Sequence, residues 1–288
     1  MHSKQIQQTI KAIEEAEFIL IGASNGLEMA EGYNLFAPND YFMKHYQDFY
    51  DQYGVQSILQ GLIQRPFPDE ETLWAFFARN LYESYYYQPT AVMKNLYQLI
   101  GEKPHFILTS NGTRRIKASG FKDDNLFEIE GSLGALQCSQ GCHDEVYPLE
   151  DWIDEIYERA KDHTRIPSEM VPRCEKCDAY LMPNFEIAPS FIRSAHWHQQ
   201  QQKVQELFQN LTEKSFLVLE LGIGFRNQLI KAPLMNIVRH SPQSTYITIN
   251  KGEIYIPNEI HEQSIGIDGD LAQILENLVK AQESLYGN

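Results

Sequence analysis

The four cysteines of the chain stand in two close pairs, an arrangement that can bind a metal ion. Cys138 and Cys142 form the first pair, and Cys174 and Cys177 form the second. A structural zinc ion takes four ligands in a tetrahedron, and two short loops with two thiolates each meet that need. Two disulfides, or four unrelated buried thiols, are the alternatives. Four thiolates leave no coordination position for water, so the pattern predicts a structural zinc site rather than a catalytic one.

The N-terminal residues and the net charge limit the location and the partners. Residues 1–11 lack the apolar stretch of a secretory signal peptide, so we expect a cytoplasmic, reducing location that disfavours disulfides. The formal net charge of -15 at pH 7 argues against nucleic acid as a partner. No apolar run is long enough to cross a membrane. A small anionic cofactor is compatible with this charge, because a few backbone N–H groups can hold a phosphate.

Short apolar runs alternate along the chain with amphipathic stretches. The apolar runs predict strands at 18–21, 105–109, 126–129, 215–221, 244–250 and 264–267. The amphipathic stretches predict helices at 4–16, 40–65, 70–86, 91–100, 195–210 and 270–285. Strands that alternate with helices form a parallel sheet with helices on both faces. We therefore predict an α/β fold with a Rossmann-like, doubly wound parallel sheet, into which the cysteine-containing segment is inserted.

Small or polar residues follow four of the predicted strands. They are Gly22–Gly26, Thr109–Asn111, Gly222–Gly224 and Asn250. In open α/β sheets, ligands bind beyond the carboxyl ends of the strands, where glycine lets the backbone approach them. One such strand end is weak evidence, but four in one chain predict a nucleotide site.

The order of these motifs resembles that of the sirtuins, a family of NAD-dependent deacylases and ADP-ribosyltransferases. The segments that match the family's motifs are Gly22–Gly26, Thr109–Asn111, Glu128–Gly131, the two cysteine pairs, Gly222–Gly224 and Ile249–Asn250. Within the family, the segments 136–142, 174–177, 183–185 and 219–225 are most similar to the class M sirtuins, which are linked to macrodomains.

The resemblance implies a two-part architecture with NAD in the cleft between the parts. An NAD-binding domain would comprise 1–34, 88–134 and 188–288, and a small domain would combine a helical insertion at 35–87 with a zinc-binding module at 135–187. The residues that the resemblance places at NAD are Gly22, Ala23, Ser24, Asn25, Gly26, Glu28, Gly32, Ser110, Asn111, Gly222, Ile223, Gly224 and Asn250.

The resemblance also implies ADP-ribosyl transfer to an acceptor protein. Class M sirtuins resemble ADP-ribosyltransferases that modify a lipoylated, glycine-cleavage H-like carrier, and a macrodomain hydrolase reverses the modification. Asn111 matches the family residue that orients the nicotinamide ribose. Glu130 stands where deacylating sirtuins have a histidine base, and a carboxylate can act as a base if burial raises its pKa.

Three departures from the family motifs leave other functions open. Ser24 replaces a glycine of the first loop, and Glu28 would add negative charge near the diphosphate unless it turns to solvent. Thr113 stands where the family has the carboxylate that recognises the nicotinamide amide. The alternatives to the transferase are a weak or inactive binding module of sirtuin fold, an NAD hydrolase and a deacylase.

Overall fold

A six-stranded parallel sheet forms the centre of the larger part of the protein. The computed structural model describes residues 2–187, 190–211 and 214–286. Its strands are β1 (Ile19–Ala23), β2 (His105–Thr109), β3 (Leu126–Glu128), β4 (Gly131–Cys138), β5 (Tyr147–Pro148), β6 (Leu181–Phe185), β7 (Leu217–Leu221), β8 (Thr245–Asn250) and β9 (Ser264–Asp268). The order of the large sheet is β3-β2-β1-β7-β8-β9, and a smaller antiparallel sheet has the order β5-β4-β6. The chain changes direction across the large sheet between β1 and β7, which is where ligands bind in doubly wound sheets. The predicted fold class is confirmed.

Each helix range predicted from the sequence contains a helix of the structure, with one division that the pattern did not show. They are α1 (Ser3–Glu15), α2 (Asn25–Ala30), α3 (Asp40–Tyr53), α4 (Ile58–Ile63), α5 (Glu70–Tyr85), α6 (Ala91–Ile100), α7 (Arg115–Ala118), α8 (Ile153–Ala160), α9 (Ala195–Leu211), α10 (Gln228–Arg239) and α11 (Leu271–Tyr286). The helix predicted at 40–65 is two helices, because Gly54 ends α3 at a left-handed φ of 68° and Ser57 caps α4. No helix of the described residues is long and apolar enough to cross a membrane.

Separate hydrophobic cores cover the two faces of the large sheet. The side chains of β1 alternate, so that Ile19 and Ile21 pack with α1, α6 and α11, whereas Leu20 packs with α10 on the other face. A third core joins α3, α4 and α5 to the smaller sheet. Within it, the indole N–H of Trp74 donates to the Leu181 carbonyl at 2.8 Å.

The third core bears on the expected division of the chain. We propose that the helical insertion and the zinc module form one small domain, because their buried side chains pack in this single core. Strand β4 begins at Gly131, before the expected boundary at 135. The other expected boundaries at 1, 188 and 288 fall on residues outside the described ranges.

A buried ion pair fixes α10 against the large sheet. Lys231 on α10 donates to the carboxylate of Glu220 on β7 at 2.5 Å, and both side chains are almost fully buried. The hydroxyl groups of Tyr246 and Thr248 on β8 also donate to Glu220. A buried charge needs such partners to offset its lost hydration. These bonds therefore position the segment between β7 and α10.

A close backbone contact joins the end of β1 to the end of β7. The Gly26 N–H donates to the Gly222 carbonyl at 3.0 Å, and a Cβ atom on Gly26 would lie 2.5 Å from the Gly222 Cα. Gly222 also has a left-handed φ of +61°. The turn predicted over 22–26 is shorter in the structure: only Ser24 separates β1 from α2.

Replacing Gly26 by alanine should force the two strand ends apart. Because the new Cβ would collide with backbone, we expect Gly26→Ala to lower the free energy of unfolding by about 1–3 kcal/mol. Gly224→Ala is the matched control, since its Cβ would meet only the flexible carboxylate of Glu253, at 3.1 Å. Urea unfolding measures both variants. Equal, small effects below about 0.5 kcal/mol would contradict the steric argument.

Candidate functional site

The ends of β1, β2 and β7 meet at the switch point of the large sheet. The Ser24 N–H donates to the Leu221 carbonyl at 3.3 Å, and the Ser24 and Ser110 hydroxyl oxygens lie 2.9 Å apart. The Asn250 side chain at the end of β8 donates to the Ile223 carbonyl at 3.1 Å. The structure therefore brings together the residues predicted at 22–26, 110–111, 222–224 and 250.

Asn111 is held at this junction with one unused hydrogen-bond acceptor. Its side-chain N–H donates to the Ser24 carbonyl at 3.0 Å, and its backbone N–H donates to the Thr109 hydroxyl at 3.0 Å. Its Oδ1 atom is buried and has no partner among the described residues. Buried polar atoms are nearly always paired. An acceptor held in this state is suited to a donor group of a ligand.

One of the two positions considered for Glu28 from the sequence is excluded. Its side chain is not turned to solvent; it lies on the buried face of α2, where the Thr113 hydroxyl donates to it. Burial raises the pKa of Glu28 to about 7 against the opposing effects of Thr113 and Arg115. Near neutral pH the carboxyl is therefore only partly charged. It also restores a carboxyl group beside Thr113, the position from which the family's carboxylate is missing.

Arg115 lines a cavity on the side of α3 and α5. Its guanidinium contacts Glu83 and lies over the rings of Tyr33 and Tyr87, with centroid distances of 4.4 and 4.3 Å. Gly32, which the resemblance places at NAD, also lines this cavity, whose volume is about 760 Å³. The structure therefore does not bring Gly32 together with the residues at the junction.

Glu130 lies on the side of the junction that is formed by the segment after β7. It follows β3 and faces the residues 226–229 across a shallow cavity of about 500 Å³. Partial burial, together with the charge of Glu186, raises the pKa of Glu130 to about 7. A carboxylate with this pKa can accept a proton near neutral pH.

The four cysteines form a compact cluster between β4 and the segment before β6. All four sulfur atoms lie within 4.8 Å of one another, and the Cys138–Cys177 and Cys142–Cys174 Sγ distances are 3.5 and 3.6 Å. Sulfurs bound to one tetrahedral zinc lie about 3.8 Å apart. The cluster therefore fits a zinc ion. His143 lies beside the cluster, with its Nδ1 atom 3.0 Å from the Cys142 sulfur.

Two features of the junction were missed from the sequence. Asn227 donates to both Ser24 and Ser110, at 3.1 and 2.9 Å. The only sequence signal was the polar run Arg226–Gln228 after an apolar strand. The contact between Glu28 and Thr113 had no signal, because the two residues are 85 positions apart.

Comparison with solved structures shows which class of protein has this fold. Sir2Tm bound to a propionylated peptide aligns with a TM-score of 0.61 at 15% identity, covering 96% of this chain and 98% of that one. A Sir2 homologue in complex with ADP-ribose aligns with a TM-score of 0.60 at 14% identity, covering 98% of each chain. The chain has the sirtuin fold, as its motifs predicted.

Sequence comparison gives more particular relatives. The chain is 29% identical over 289 residues to a protein ADP-ribosyltransferase of Staphylococcus aureus, covering 99% of this chain and 90% of the relative. It is 23% identical over 285 residues to a probable bifunctional ADP-ribose hydrolase/ADP-ribosyltransferase of Fusarium oxysporum f. sp. cubense. That match covers 93% of this chain but only 46% of the fungal relative. No protein-family model matches the chain.

The cysteine cluster should hold one zinc ion per chain. We expect Cys174→Ser to lose the metal and to lower the thermal midpoint, because Cys174 is buried in the core shared by the helical insertion and the zinc module. His143→Ala should keep the metal, since four thiolates complete the tetrahedron. Elemental analysis of both purified variants tests this. Zinc loss in the histidine variant would contradict a four-cysteine site.

The buried carboxyl of Glu28 should make stability depend on pH. Its pKa is raised from 4.5 to about 7 in the folded state. Between pH 4.5 and about 7 the unfolded chain has lost this proton and the folded chain keeps it, so the stability that Glu28 contributes falls across this range and levels off above it. The stability of Glu28→Gln relative to wild type should therefore increase between pH 5 and 8, by on the order of 3 kcal/mol.

Urea unfolding of both proteins across this pH range provides the measurement. Glu17→Gln at an exposed position is the matched control and should show no such trend. A stability difference that stays constant between pH 5 and 8 would contradict a raised pKa at Glu28.

Proposed function

We propose that this protein is an NAD-dependent protein ADP-ribosyltransferase of the sirtuin type. The observation that carries the proposal is the position of Glu130. A carboxylate with a pKa of about 7 faces residues 226–229 across a shallow cavity, and it stands at the sequence position where deacylating sirtuins have a histidine. The nearly full-length similarity to an ADP-ribosyltransferase supports the same activity.

The residues of the junction fit a dinucleotide. The contact between Gly26 and Gly222 leaves backbone, without side chains, at the strand ends. The unpaired Oδ1 of Asn111 offers an acceptor to a hydroxyl group. Gly22–Gly26, Ser110, Gly222–Gly224 and Asn250 would hold the cofactor here, and when bound NAD supplies the ADP-ribosyl group.

The proposed role of Glu130 is that of a general base. It takes the proton from the acceptor nucleophile, whose lone pair forms the new bond to the ribose carbon. The bond from that carbon to nicotinamide breaks, and the electron pair leaves with nicotinamide. Asn111 orients the ribose through its amide, which the bond to the Ser24 carbonyl holds in place.

The proposal also covers the protein that accepts the ADP-ribosyl group and the enzyme that removes this group again. The similarity of the motifs to class M sirtuins supports a lipoylated, glycine-cleavage H-like carrier as the acceptor. The fungal relative, named for both hydrolase and transferase activities, supports a macrodomain hydrolase as the functional partner. Four cysteines that are grouped as zinc ligands rather than paired as disulfides support a cytoplasmic location.

Transfer of label from biotinylated NAD to purified lipoylated carrier tests the activity. We expect modification of the lipoylated carrier and not of its unlipoylated form. Release of ADP-ribose without an acceptor would instead support NAD hydrolysis. Binding of ADP-ribose without turnover would support a binding module, and deacylation of an acyl peptide would support a deacylase.

The proposed role of Glu130 as the base predicts how the transfer rate depends on pH, and two variants test this prediction. Glu130→Gln should lower the transfer rate by about 10²–10⁴-fold. In wild type the rate should rise with pH through about 7, because only the deprotonated carboxylate accepts a proton. Glu186→Gln should move this rise to lower pH, since it removes the charge that raises the pKa of Glu130.

The rate of single-turnover transfer between pH 5 and 9 provides the measurement. An unchanged midpoint in Glu186→Gln, or full activity in Glu130→Gln, would contradict the assignment of Glu130 as the base.

A further inference from the structure

Three polar side chains from three strand ends form a closed hydrogen-bonded triangle. Ser24 follows β1, Ser110 follows β2, and Asn227 precedes α10 after β7. The Ser24 and Ser110 oxygens are 2.9 Å apart, and the Asn227 amide nitrogen is 3.1 Å from the first and 2.9 Å from the second. The serines are buried and Asn227 is half-buried. The triangle is therefore buried at the two serines and partly open at Asn227.

Counting protons shows what the triangle can offer to a ligand. The amide nitrogen of Asn227 has two hydrogens and no acceptor site, so both serine oxygens accept from it. One serine then donates to the other, and only one hydroxyl proton is left. Neither hydroxyl has another partner among the described residues. The pair therefore presents a single donor.

We propose that Asn227 is a positioning residue that directs this remaining proton to an anionic oxygen of the nucleotide diphosphate. The inference rests on the proposed function, because it concerns how the same site selects its nucleotide. The triangle lies at the carboxyl ends of β1, β2 and β7, beside the contact between Gly26 and Gly222. A hydrogen bond from a hydroxyl to an ionised oxygen is shorter and stronger than a neutral one.

Asn227→Asp reverses the hydrogen-bond direction with little change in shape. A carboxylate accepts from both serines, so both hydroxyl protons point toward it and none is left for the ligand. The new negative charge also repels a phosphate. Asn227→Ala removes only the amide and leaves both hydroxyl groups able to turn. The proposal therefore predicts an order of affinity: wild type, then Asn227→Ala, then Asn227→Asp.

The effect should be specific to ligands that carry the diphosphate. By calorimetry we expect Asn227→Asp to bind ADP-ribose roughly 10- to 100-fold more weakly than wild type, as the loss of a charge-assisted bond implies. Binding of adenosine should change by less than about threefold. In the transfer assay the KM for NAD should rise while kcat stays near the wild-type value. The reason is that the contact is equally strong in the bound ground state and in the transition state.

The matched control is Asn236→Asp, which makes the same substitution at an exposed position of α10. It should bind ADP-ribose like wild type, and all variants should keep their zinc content and thermal midpoint within a few degrees. These readouts separate a positioning role from general damage to the fold.

Two results would overturn the inference, and they are distinguishable. If wild type binds neither NAD nor ADP-ribose, the proposed function fails and this inference fails with it. If wild type binds ADP-ribose and Asn227→Asp binds it within threefold, the proposed function stands and only the role of Asn227 is wrong. A loss of adenosine binding equal to that of ADP-ribose would likewise refute a diphosphate contact.

Discussion

The backbone contact between Gly26 and Gly222 sets the positions of the other groups in the site. It places the first turn of α2 directly against the end of β7, where a side chain on either residue would collide. Ser24 is thereby brought to Ser110 and Asn227, and the buried face of α2 carries Glu28 toward Thr113.

The sequence predicted the sheet, most helices and the strand-end residues because each depends on short-range pattern. Apolar runs and glycine turns are visible over a few residues, and the cysteine pairs are visible as spacing. The division of the helix predicted at 40–65 depended on Gly54 and Ser57, whose turn chemistry the hydrophobic pattern does not show. The roles of Glu28 and Asn227 depend on contacts between distant segments, and no local pattern indicates which way such side chains point.

The two glutamates beside the junction have similar pKa values for different reasons. Glu28 is fully buried, and its raised pKa comes from lost hydration against the attraction of Arg115. Glu130 is only partly buried, and the like charge of Glu186 adds to the effect. The first carboxyl is held by Thr113, whereas the second faces an open cavity. One is therefore suited to a fixed structural position and the other to proton exchange.

The core shared by the helical insertion and the zinc module has a consequence for folding during synthesis. The indole N–H of Trp74 donates to the carbonyl of Leu181, which lies 107 positions later in the chain. A ribosome that adds about 5–20 residues per second needs on the order of 5–20 s to synthesise the chain between these two residues. During this interval the aromatic side chains of α3 and α5 lack their partner surface. The nascent helical segment therefore cannot bury these side chains in their native core until Leu181 has been made.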